Sequence, residues 1–138
     1  MITGVLISEA DIKKAVDDWL TFQDNLGLLL FFRLNAGDFI VTNPDGSHRR
    51  RIKGAKKGAA DFEVLQPAFV RTSYKGVERG EPHPVCRVTF LEIKKRGSHQ
   101  SSEQKMFETK VTRLHARYFV VRSVEEVEEI LRPGNFKK

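Results

Sequence analysis

"FLEIKKRG", residues 90–97, decides how this chain is read. Phe90, Leu91 and Ile93 are strand formers. Glu92 and Lys94 alternate with Leu91 and Ile93, so both charges leave one face of a strand. Gly97 breaks the run. On a solvated edge such a pair is an ordinary surface ion pair of little energetic weight. Beside a second carboxylate it acquires chemistry.

The sequence upstream supplies that carboxylate. "DFEVLQPAFV" (61–70) predicts a strand that starts at Asp61 and is interrupted or ended by Pro67. "RTSYKGVERGEPHP" (71–84) holds two glycines and two prolines, and predicts a hairpin loop rather than a central strand. "VCRVTFLEIKK" (85–95) is then the returning strand. Antiparallel pairing puts the start of the first strand beside the end of the second, so Asp61 comes close to Glu92 and Lys94. Two such carboxylates alone repel, and one takes up a proton. A hard divalent cation removes the conflict, because carboxylate oxygens are the ligands Mg²⁺ prefers. It also binds phosphate oxygens and lowers the pKa of water. A lysine alongside orients that water or stabilises charge on the phosphate. The Ile93 backbone carbonyl, between the two charged residues, is a further candidate ligand.

The rest of the chain frames this hairpin. "SEADIKKAVDDWL" predicts a helix over about 9–24, with Ser8 as N-cap and Ile12, Ala15, Val16, Trp19 and Leu20 on its apolar face. "LLLFFRLN" predicts a buried strand. "AGDFIVTNPDGSH" predicts a short strand with a turn at Asn43-Pro44-Asp45-Gly46. "HRRRIKGAKKGAA" (48–60) is a basic, glycine-rich segment. A helix over about 102–115, capped by Ser101 or Ser102, a strand at "RYFVVRS" and a last helix capped by Ser123 complete the chain. The expected class is α/β, with a mixed central sheet flanked by helices in the order α-β-β-β-α-β-α. The 138 residues read as one domain, with a core over about 8–131 and a tail at 132–138.

Composition narrows the setting. With 40% hydrophobic and 30% charged residues the chain reads as globular. The longest apolar run, "LGLLLFF", is too short to span a bilayer. The first residues lack the layout of a secretion signal, which suggests an intracellular, cytoplasmic protein. Cys86 is the one cysteine, so internal disulfides and thiolate zinc sites are excluded; it is expected to be a small packing residue. The four histidines have no paired spacing. The net charge of +6 points to a polyanionic partner.

Asp61 followed by Glu92-Ile93-Lys94 resembles the D…ExK pattern of the PD-(D/E)XK nuclease superfamily, and within it the VRR-NUC domain in its small stand-alone phage form. Four stretches carry the likeness: "SEADIKKAVDDWL" with Glu9, "KGAKKGAAD" before Asp61, "LEIKKRG", and "SSEQ" with Gln104, followed by "RYFVVRSVEEVEEIL". Ala60 departs from the pattern, which often has proline there. The resemblance covers roughly residues 8–131. It implies a restriction-endonuclease-like core and a Mg²⁺- or Mn²⁺-dependent endonuclease. It also implies a preference for branched DNA, as in Holliday junction resolvases that act as homodimers. The implied metal ligands are Asp61, Glu92, the Ile93 carbonyl and Glu9; Lys94 and Gln104 complete the catalytic set. Arg49, Arg50, Arg51, Lys53, Lys56, Lys57 and Arg96 are expected to hold the DNA backbone. The alternative is a DNA-binding module that keeps the fold without catalysis; a basic structural protein is a third possibility.

Overall fold

The structure is a computed structural model and describes residues 6–34 and 38–133, without the side chains at 38, 39, 52 and 53. Helix α1 spans Glu9–Asn25, β1 Leu30–Arg33, β2 Asp38–Val41, β3 Arg50–Lys53, β4 Phe62–Tyr74 and β5 Val77–Ile93. Helix α2 (Ser102–Arg113), β6 (Arg117–Val121) and α3 (Val124–Ile130) follow. The class is α/β with a mixed central sheet. The order is α-β-β-β-β-β-α-β-α among the described residues, longer than the condensed order expected; β3 is the strand that none of the quoted stretches anticipated.

The main sheet runs β1-β4-β5-β6. β4 is antiparallel to β1 and β5, whereas β5 and β6 are parallel, with α2 as their crossover. Side-chain alternation divides the sheet's work. Phe62, Val64, Leu91, Ile93 and Val121 face α1 and α3, meeting Ile12, Val16, Leu20, Val127 and Leu131 in one core. The opposite face carries Phe90 and Tyr118, which pack on Phe107 of α2, with ring centroids 5.2 and 6.2 Å apart. Each helix starts at a serine cap: Ser8 and Ser101 close complete capping boxes with Asp11 and Gln104, and Ser123 accepts from the Glu126 N–H.

Three expectations change. The 71–84 segment is no loop. β4 and β5 continue past the sheet as a two-stranded ribbon, which turns at Lys75-Gly76 with φ of 51° and 77°. The prolines fit because β1 stops pairing at Leu65 and β6 begins only at Thr89. Beyond those points the outer edges of both strands are open, and a missing N–H costs no ladder bond. Secondly, β1 is not buried: Leu30 is 46% and Phe32 45% exposed, because α2 covers the β5–β6 side of that face and leaves β1 open. Thirdly, Cys86 is exposed on β5 opposite Pro67 rather than packed.

The basic run begins as a strand: β3 pairs with β2 as a separate hairpin, and Gly46 closes its predicted turn through a 2.8 Å bond to Asn43. The expected tail from residue 134 onward lies outside the described residues. Among them, no helix is long and apolar enough to cross a membrane.

Candidate active site

The site lies where the sheet ends between the first turns of α1 and α2. β4–β5 pairing sets Phe62 opposite Leu91, and the Asp61 N–H donates to the Leu91 carbonyl at 3.0 Å. Asp61 then turns its side chain onto the neighbouring strand. Its Oδ2 accepts from the Ile93 N–H at 2.7 Å. That backbone bond seats Asp61 beside Glu92, as the hairpin register predicts, and Lys94 approaches Glu92 in turn.

Glu92 is the most constrained group. It is 2% exposed, between the fully buried Leu91 and Ile93. Its Oε1 accepts from Gln104 Nε2 at 2.7 Å and lies 3.7 Å from the Lys94 ammonium. Its Oε2 is buried without a hydrogen-bond partner. Burial first and the Asp61 charge second raise the Glu92 carboxyl from 4.5 to about 7; Lys94 and Lys13 pull the other way without prevailing. A buried carboxyl titrating near neutrality beside a second acid is an arrangement found at working sites, as well as in structural ion-pair networks.

Gln104 does two jobs with one amide. Its Oε1 accepts from the Ser101 N–H at 2.8 Å, closing the α2 cap, while its Nε2 holds Glu92. Capping role and site role coexist. The glycine-rich approach to Asp61 is pinned to the same helix start. Gly58 has φ +83°, and a Cβ there would lie 2.4 Å from the Glu103 carbonyl oxygen, so only glycine lets the segment lie against α2. Ala59 and Ala60 are buried behind it, and Lys57 reaches Glu103 at 3.4 Å.

The sequence pattern missed Lys13. Its ammonium lies 2.8 Å from Asp61 Oδ1. Burial works against its charge, but the hydrogen bond and attraction of Asp61, with the charges of Glu9 and Glu92, raise its pKa. The available signal was spacing, since Glu9 and Lys13 stand four apart on one helix face. Glu9 acts on Lys13 and Glu92 through its charge. Among the described residues no three His, Cys, Asp or Glu are grouped so as to hold a metal.

The donors present nevertheless suit a hard cation that keeps other oxygen ligands. Two carboxylates, one with an orphaned buried oxygen, match the small protein share that Mg²⁺ takes. The expected DNA-backbone residues divide into groups. Arg49, Arg50 and Arg51 line a concavity with Ile40 on the β2–β3 hairpin. Lys56 and Lys57 line a smaller one of about 90 Å³ with Glu103, Met106, Phe107 and Lys110. Arg96 is exposed just past β5, and the Lys53 side chain lies outside the described residues. No family model, curated protein or solved structure matches the chain.

Proposed function

We propose that the chain is a metal-dependent endonuclease that hydrolyses DNA phosphodiester bonds, with branched DNA as its preferred substrate. The observation that carries this reading is the buried, unpartnered Glu92 Oε2 beside Asp61 and Lys94. An orphaned carboxylate oxygen in a low-dielectric pocket is costly, and a cation relieves that cost. Asp61 and Glu92 would hold Mg²⁺ or Mn²⁺, with the Ile93 carbonyl as a third oxygen donor. Such a cation supplies Lewis-acid polarisation of the phosphate and a water of lowered pKa. Gln104 fixes the Glu92 rotamer. Lys94, its ammonium 3.7 Å from Glu92, would orient the attacking water or meet negative charge developing on the phosphate oxygens. Glu9 adds negative charge at the rim. Arg49, Arg50 and Arg51, with Lys56, Lys57 and Arg96, hold the DNA backbone. A four-way junction has two-fold symmetry, so a homodimer would present two such sites at matched positions.

The test compares cutting of a synthetic four-way junction, linear duplex, flaps and single strands, with Mg²⁺, Mn²⁺ or chelator. Cutting of the junction should require metal. Asp61→Ala and Lys94→Ala should each lower it at least about 100-fold. Tight binding without cutting under either metal would favour a non-catalytic DNA-binding module. Cleavage that survives Glu92→Ala combined with Lys94→Ala would sink the site assignment.

A further inference from the structure

The two buried-site carboxylates are in opposite states. Glu92 Oε2 has no partner. Asp61 has a partner on each oxygen: the Ile93 N–H donates to Oδ2 at 2.7 Å and the Lys13 ammonium meets Oδ1 at 2.8 Å. Oδ1, whose partner is a side chain and not fixed backbone, is the Asp61 oxygen most open to exchange with a divalent cation. The two partners of Asp61 differ in mobility. Ile93 is fully buried in β5 and its N–H is fixed backbone. The Lys13 side chain is 45% exposed, against 18% for Asp61, and ends a flexible four-carbon stem that can swing outward without moving α1.

We infer that Lys13 is a tethered counter-ion that neutralises Asp61 until a divalent cation arrives, and then transfers to a phosphate oxygen of the bound DNA. The inference rests on the metal-dependent reading given above. Three carboxylates, Glu9, Asp61 and Glu92, face two ammoniums, Lys13 and Lys94, in this corner of the molecule. A divalent cation at Asp61 repels the displaced ammonium at short range, while a DNA phosphate brings the anion that receives it. Metal and DNA then bind cooperatively through one side chain, and the coupling is reciprocal. Lys13 is a positioning residue in this scheme. It clears a ligand site and anchors the substrate, and takes no part in bond making.

The experiment separates the two halves of the idea. Mn²⁺ is titrated calorimetrically into DNA-free wild type, Lys13→Met and Lys13→Arg. Lys13→Met should bind Mn²⁺ about tenfold more tightly than wild type, and Lys13→Arg should resemble wild type. A labelled short duplex is then titrated by anisotropy across a salt series, with chelator and with Ca²⁺. Without metal, wild type and Lys13→Met should bind the duplex alike, because Lys13 is engaged with Asp61. With Ca²⁺, wild type should gain affinity and Lys13→Met should lose that gain, with a salt slope lower by about one phosphate contact. Unchanged or weaker Mn²⁺ binding by Lys13→Met, with wild type binding the ion, overturns the counter-ion role and leaves the nuclease reading standing. A DNA deficit in Lys13→Met that is equal with and without Ca²⁺ overturns the transfer. Absence of Mn²⁺ binding in both proteins overturns the metal site and this inference together.

Discussion

β4 and β5 run side by side from one end of the molecule to the other, and their two ends have opposite characters. At the Asp61 and Ile93 end, helices cover both faces, and Leu91, Glu92 and Ile93 are buried. At the Tyr74 and Val77 end, roughly 40 Å away along the strands, the same pair stands in solvent. There Phe69, Val70, Tyr74, Val77 and Val85 are exposed, and the cations of Lys75 and Arg79 lie 5.5 and 5.8 Å from the Tyr74 ring centroid. The same antiparallel strand pair thus gives a low-dielectric pocket at one end and, past a register shift between Val70 and Thr72, a solvated ribbon at the other. Helix cover makes the difference. It turns Glu92 into a buried carboxyl with a raised pKa, whereas Glu78 and Glu81 stand exposed on the ribbon.

If cover is what matters, a single methyl at the covered end should outweigh the removal of most of the ribbon. Gly58→Ala forces a Cβ into the Glu103 backbone at a positive φ, and should lower unfolding free energy by roughly 3–4 kcal/mol in urea titration. Leu91→Ala opens a cavity between α1 and the sheet, and should cost about 3 kcal/mol by the same measurement. An intermediate effect tests the electrostatics of the covered end. Because the Glu92 carboxyl is raised from 4.5 to about 7, folding favours its protonated form. That contribution is full below pH 4.5 and is lost as the pH rises through 7. Metal-free wild type should therefore lose up to about 2 kcal/mol relative to Glu92→Gln between pH 5 and pH 8, read by urea titration at each pH. Replacing residues 71–82 with Asn-Gly, so that Val70 still meets His83, should change stability by no more than about 1 kcal/mol. Val77→Ala at the ribbon tip should fall within about 0.5 kcal/mol of wild type. A ribbon excision as damaging as Gly58→Ala would break the comparison and mark the ribbon as part of the core.

The sequence was legible where local chemistry and periodicity agree. Ser8 and the spacing of Ile12, Val16 and Leu20 announced α1 to within a residue of its end. The alternation in "FLEIKK" and the position of Asp61 were enough to bring three site residues together, because antiparallel register does the rest. The ribbon was illegible because proline and glycine speak against a strand only if its edges are used, and edge use is set by where β1 and β6 stop. β3 was hidden for a related reason: a run of arginines carries no apolar alternation, and its pairing with β2 supplies the order instead. Lys13 was hidden because its partner lies on another element: spacing puts it on the helix face of Glu9, but only the way α1 lies on the sheet brings it to Asp61.

The amide of Gln104 carries a consequence of its own. Glutamine and glutamate are interchangeable as the third residue of a capping box, since either accepts from the cap N–H. Only glutamine has a hydrogen to give Glu92. The choice between two near-identical side chains at the start of a helix is thus made by an acid on a neighbouring strand. Gln104→Glu would keep the helix start and set two acids against each other. One exchanged atom group would uncouple the local folding code from the site that was built on it.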